Sequence, residues 1–299
     1  MRHRTRLRIA TMGAALLPLT GMAPAVAGPH AARAADAPPP AATCRTTAER
    51  CVEQARARLA LLREQLGCDH RGVFPAVYTH VQGQLLETLR SRPGYFAEPD
   101  WLAGDLNTGF VSLYLRSYRD DRNDRDGHAV PEAWKIAYDA ARADDVNAGQ
   151  DVLLGANAHI QRDMPYVLAA NGLLRGDGGS RKADYDRFTT VLERAYQPAI
   201  EEVARRYDPV VALGDARWNP IAEFTVLQLL RLWRENAWHA AERLAAARTT
   251  AERARVEASI EDGAAHWAHL LAAVRVPGYG ATRDQHCRRH ATAPQDQTP

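Results

Sequence analysis

Residues 148–171 read AGQDVLLGANAHIQRDMPYVLAAN. Val152, Leu153, Ala156, Ile160 and Val167 recur at three- and four-residue spacing, which puts them on one face of an α-helix and excludes a strand, whose period is two. The same period occupies 46–66, 74–91, 99–119, 131–144, 182–207, 221–247 and 251–274, and no alternating pattern competes. Between these runs stand Gly67, Pro93-Gly94, the stretch from Gly127 to Pro131, that from Gly176 to Ser180, Gly214 and Asn219-Pro220, residues that stop helices or turn the chain. The gaps have the lengths of helix connections. The expected fold is all-α, a single multi-helix bundle-like domain of about eight helices, spanning residues 44–288 with no linker composition inside it.

The flanks differ in kind. Arg2 to Arg8, the apolar run Ile9 to Thr20 and Ala25-Val26-Ala27 have the order of an export signal, a basic start, a short apolar stretch and a small-residue cleavage site. Residues 1–27 are therefore expected to be a signal peptide, residues 28–43 a disordered Ala/Pro leader and residues 289–299 a flexible tail, making the protein secreted or extracellular. The apolar run is too short to cross a bilayer, which takes about 20 residues, and no later segment supplies a span. At 46% hydrophobic and 25% charged the chain has the composition of a folded protein. Removing four arginines with the signal turns the formal net charge from +2 to −2, so no basic field is left to hold nucleic acid.

Four cysteines, Cys44, Cys51, Cys68 and Cys287, form an even set in an exported chain, and two disulfides are expected. Cys51 and Cys68 flank one helical run and lie roughly 25 Å apart at 1.5 Å per residue, too far for a bridge. The favoured pairing joins Cys287 to Cys68 or to Cys44. CxxC spacing is absent, which argues against a cysteine zinc site.

The densest polar stretch is Asn157-Ala158-His159-Ile160-Gln161-Arg162-Asp163. At about 100° per residue, Asp163 lies about 60° and His159 about 100° from the centre of the apolar face. Asp163 thus leans inward, where a carboxylate needs a partner. Two readings follow: His159 and Asp163, one turn apart, hydrogen-bond to each other inside the core, or both bind a divalent metal such as zinc. Asp184, near the start of the helical run that follows Gly176 to Ser180, also leans inward; it either serves that helix start or completes a His159, Asp163, Asp184 ligand set with room for a water. Asp262, His266 and His269 fall on a solvated face, His239 and Glu242 are ambiguous with Trp238 as core, and His80 is expected at the surface. No GxSxG, phosphate-binding Gly-Lys loop or HExxH occurs.

The segment from Leu153 to Pro165, with Asn157, His159, Ile160 and Asp163 in place, resembles the NAHIxxDLP signature of a bacterial, largely actinobacterial, family of helical domains of unknown function. Phe74, Tyr78 and Val81 resemble its FxxxYxxV helix, Phe110 and Leu113-Tyr114 its FxxLY helix, Pro131 and Trp134 its PxxW element, Asp184 its Asp before a helix, and Ala237-Trp238 with Ala241-Glu242 its AWxxAE helix. The resemblance covers about residues 70–245 and departs at Met164 for leucine, at Pro75 for a frequent asparagine and at His239, which has no counterpart. It implies a helical fold, marks Asn157, His159 and Asp163, and supplies no activity. A weaker analogy is to the zinc phospholipase C and P1-nuclease group, which has an HxxxD pair on a core helix of an exported all-α protein; the mature N-terminal tryptophan ligand and a second pair are missing here. Three functions are compatible with the residues: a secreted protein binding a small molecule, lipid or partner through Asn157, His159, Asp163 and Asp184; a metal-dependent hydrolase of esters or phosphoesters in which His159 and Asp163 are catalytic; and a purely structural extracellular domain.

Overall fold

The computed structural model of the protein describes residues 44–123, 130–214, 220–275 and 278–290. The expected signal at 1–27, the leader at 28–43 and residues 291–299 lie outside the described residues. Those described fold into one all-α domain, with helices α1 (Ala48–Leu66), α2 (Val73–Ser91), α3 (Asn107–Asn123), α4 (Glu132–Ala143), α5 (Ala148–Asn157), α6 (Met164–Asn171), α7 (Lys182–Arg206), α8 (Pro220–Ala246), α9 (Thr250–Ala272) and α10 (Tyr279–His290). No strand occurs among them, and no helix among them is long and apolar enough to cross a membrane.

Local chemistry sets the helix ends where the sequence punctuates them. The Thr47 hydroxyl accepts from Arg50 N at the start of α1, and capping boxes open α5 (Asn147 with Gln150) and α9 (Thr249 with Glu252), each satisfying amides that the first turn leaves unbonded. Gly67 closes α1 at a φ of 56°, a backbone conformation that a Cβ disfavours. The helix α2 packs against α1 on one side and α7 on another, α4 lies on α9, and α6 on α8. Their shared core holds Trp134, Trp233, Trp238, Tyr114 and Tyr185, all essentially fully buried.

Two features go beyond the periodicity. The periodicity gave no helix after 274, yet α10 follows at Tyr279–His290 and its last two residues reach into the expected tail. Its composition is polar, so its place in the fold comes from anchors instead of an apolar stripe. Cys287 is fully buried and bridged to Cys68, and Cys44 is bridged to Cys51; of the two partners expected for Cys287, the fold selects Cys68. Arg283, 1% exposed, donates to the carbonyls of Val146 and Ala141 and pairs with Asp144. Gly280 rides directly on Asp144, where a Cβ would collide.

The Cys68–Cys287 bridge closes a chain segment with a sequence separation of 219, against 7 for Cys44–Cys51, and constrains the unfolded chain more. Cys287→Ser is expected to lower unfolding free energy by about 2–4 kcal/mol and Cys44→Ser by less, read by urea denaturation under non-reducing conditions; equal losses would contradict this account of α10.

Candidate functional site

The run from α5 to α6 is helical throughout, as its period requires, but it is not uniformly α. Residues Ala158–Asp163 form a wider π turn. Pro165 supplies the reason: it has no N–H to offer the Gln161 carbonyl and its ring crowds that group, so the turn before it opens. The wider turn shifts the phase of every side chain on it relative to a regular 100° step. His159, only marginally inward by regular stepping, is 3% exposed; Asp163 is 1% and Arg162 5% exposed.

Asp163 is met by donors from two elements. Trp134 Nε1 of α4 donates to Oδ2 at 2.9 Å and Arg162 Nη1 to Oδ1 at 3.1 Å, while His159 Nδ1 stands 3.4 Å from Oδ2. Arg162 reaches on to Glu261 of α9 at 2.8 Å, which also accepts from the Tyr166 hydroxyl at 3.0 Å. Burial would lower the Arg162 pKa, but the charges of Glu261 and Asp163 outweigh it and hold the guanidinium protonated. Asn157, fully buried, donates to the Ala264 carbonyl at 2.8 Å and accepts from Gln161 at 2.7 Å. Of the two readings of Asp163, the internal hydrogen-bond network describes what the fold builds.

The His159 imidazole sits in an aromatic box. Phe110 of α3 stacks on it at 11° from parallel, and Phe74, Tyr78, Tyr114 and Trp134 meet it edge-on. Gly155, one turn earlier, lets α5 approach α2: a Cβ there would stand 2.5 Å from the Phe74 ring. Burial pushes the His159 pKa below its ordinary 6.5, and Asp163 only partly offsets this, so the ring is neutral. A carboxylate only accepts, so Nδ1 carries the proton and Nε2 presents a lone pair. Among the described residues, neither His159 Nε2 nor the Tyr78 hydroxyl has a hydrogen-bond partner, although both are buried. Burial, then the Asp163 charge, pushes the Tyr78 phenol well above its ordinary range, which keeps it a donor.

Both side chains line a cavity of about 440 Å³, within the range of small-molecule sites. Its walls are mostly apolar side chains, among them Phe74, Val81, Leu192, Ala199, Ile200 and Leu230 of α2, α7 and α8, with the polar Gln150 and Arg234 also on the lining. Asp184 is used elsewhere. Its oxygens accept from the amides of Ala97 at 2.9 Å and Glu98 at 2.7 Å and from Arg187 at 2.8 Å, tying the segment ahead of α3 to the start of α7. The expected ligand set of His159, Asp163 and Asp184 is not assembled, because Asp184 pins a loop, and no three His, Cys, Asp or Glu side chains are grouped for a metal ion among the described residues.

Residues 52–274 match a family described as a family of unknown function, DUF5995. The chain belongs to that family. No curated protein and no solved structure matches it. In this DUF5995 chain, Phe74, Tyr78, Phe110, Tyr114 and Trp134, which are scattered over three helices, converge on one imidazole. Trp238 is core, and Asp262, His266 and His269 are solvated, as their helix faces indicate. His80 is half-buried instead of exposed, since its Nε2 lies 2.6 Å from Glu202. The buried pair of His70 with Asp151, 2.7 Å apart, has no signal in the sequence: the partners are 81 residues apart and share no local pattern.

Two outcomes test the network. Asp163→Ala leaves Arg162 short of a counter-charge and Trp134 without an acceptor, at a cost of about 3–5 kcal/mol in urea denaturation. Because the folded His159 pKa lies below the unfolded value, the unfolded state takes a proton below about pH 6.5 that the folded state refuses, and stability is lost as pH falls. The wild type should lose up to about 1.4 kcal/mol per pH unit between pH 6.5 and the folded pKa relative to His159→Gln; parallel pH–stability curves would disprove the assignment.

Proposed function

We propose that this DUF5995 member is a secreted binding protein that takes a small amphipathic molecule of lipid type into the cavity beside His159. The observation that carries the reading is the pairing of a largely apolar cavity of about 440 Å³ with two of its lining residues, His159 and Tyr78, whose buried Nε2 and hydroxyl have no partner among the described residues. A buried polar atom without a partner costs about 1–3 kcal/mol, and a ligand oxygen that accepts from Tyr78 and donates to His159 would recover that cost. Asn157 and Asp163 stand behind the wall as positioning residues. They hold the turn and the imidazole tautomer, and Asp184 holds the neighbouring loop. Secretion is supported by the two disulfides, which persist in oxidising compartments, and by the export-signal pattern of residues 1–27. The resemblance of residues 153–165 to the NAHIxxDLP signature supports membership of its largely actinobacterial group.

The reading is tested by uptake of N-phenylnaphthylamine, followed by its fluorescence, and its displacement by decanol. The wild type is expected to bind both. Ala199→Phe, which places a ring in the cavity, should weaken both by roughly tenfold or more while the melting temperature holds. Tyr78→Phe should weaken decanol by roughly fivefold to tenfold, one neutral hydrogen bond, and spare the dye. A folded wild type that takes up neither probe refutes the proposal.

A further inference from the structure

Three arginines are deeply buried: Arg162 at 5%, Arg234 at 4% and Arg283 at 1% exposure. Two of them have carboxylates. Arg162 has Asp163 and Glu261, and Arg283 has Asp144 and, at 3.7 Å, Asp151. Arg234 has none within ion-pair distance among the described residues. Its contacts are the Tyr185 carbonyl, to which it donates, and the faces of the Tyr185 and Phe188 rings, 4.0 and 5.4 Å from the guanidinium carbon. A guanidinium out of water is costly unless paired, and neither a carbonyl nor a ring face neutralises its charge.

Arg234 lines the cavity. On α8 it follows Val226 and Leu230 at four-residue steps, and all three share one wall. On α7 that wall runs from Phe188 to Ile200, roughly 18 Å at 1.5 Å per residue. The ring contact with Phe188 sets Arg234 at the α7 N-terminal end of this row. The other end of this α7 row is at Ala199 and Ile200.

Resting on the binding function proposed above, we infer that Arg234 is an anion-recognition residue and that the ligand is a long-chain carboxylate whose head group meets Arg234 while its chain runs along α7 towards Ile200. One guanidinium is balanced by one singly charged head group, and its planar fork matches a carboxylate in two parallel hydrogen bonds. The wall at His159 does not suit an anion. Its Nε2 presents a lone pair and the Asp163 charge lies directly behind the ring, so that point takes a neutral oxygen along the chain.

The test compares decanoate, decanol and decyltrimethylammonium in dye displacement at pH 8, where a carboxylic acid is ionised. The wild type is expected to bind decanoate at least tenfold more tightly than decanol, and decyltrimethylammonium more weakly than either. Arg234→Met should abolish the preference for decanoate and leave decanol within about twofold, with an unliganded melting temperature no lower than wild type because an uncompensated charge has been removed. A residue that served only to hold Tyr185 would instead lower the melting temperature and leave selectivity unchanged. Wild type without a preference for decanoate, or Arg234→Met that keeps it, overturns the assignment of Arg234 while dye and decanol uptake still uphold the cavity. Should Arg234→Met not fold, the wild-type comparison and Arg234→Lys decide, the lysine keeping charge but losing the fork and part of the preference. Failure of every probe, dye and decanol included, counts against both this inference and the binding function beneath it.

Discussion

The organisation of this domain depends on one constraint: the Asp163 carboxylate lies inside a hydrophobic bundle and must be compensated there. The compensation comes from the α4 indole of Trp134, from Arg162 and from the His159 ring. Arg162 extends the network to Glu261 on α9. An ion buried this deeply strengthens its hydrogen bonds and raises the cost of any missing one, so α4, the α5–α6 run and α9 are held in one mutual arrangement. The close approach of α5 to α2 over Gly155 then sets the aromatic box around the imidazole.

That arrangement separates two electrostatic environments along one cavity. At His159 the ring is neutral, with a negative group behind it; at Arg234 there is a positive group without an acidic partner among the described residues. Between them the walls are aliphatic and aromatic.

Much of this was legible in the chain. The three- to four-residue period located the helical segments from α1 to α9, although the run expected from 99 begins as a wider turn at Asp100–Leu106 before α3, and the single run 148–171 is α5 and α6 joined through a π turn. The inward lean of Asp163 and Asp184 was also readable, since both follow from the position of a residue relative to an apolar stripe. What did not follow was the partner of either. Asp163 and Asp184 have the same inward lean in sequence, yet one anchors a helix network and the other receives two loop amides, because partners such as Trp134, Ala97 and Glu98 lie 29, 87 and 86 residues away. Arg234 drew no attention because a lone arginine in an apolar helix looks like a surface position until its neighbours are known. The helix α10 was missed because it is polar and is kept in place by Cys287 and Arg283 instead of a stripe.

The sequence by itself determined the helical class, the punctuation between helices, the even cysteine set and the polar group around His159, all of which are properties of residues within a few turns of one another. Tertiary structure decided the pairing of Cys68 with Cys287, the convergence of five distant aromatic rings on one imidazole, the absence of a grouped metal-ligand set among the described residues and the cavity that His159 and Arg234 both line. The physical reason is range. Backbone hydrogen bonding and apolar periodicity act over about four residues and are encoded locally, whereas packing, charge compensation and enclosed space depend on which surfaces the folded chain brings together.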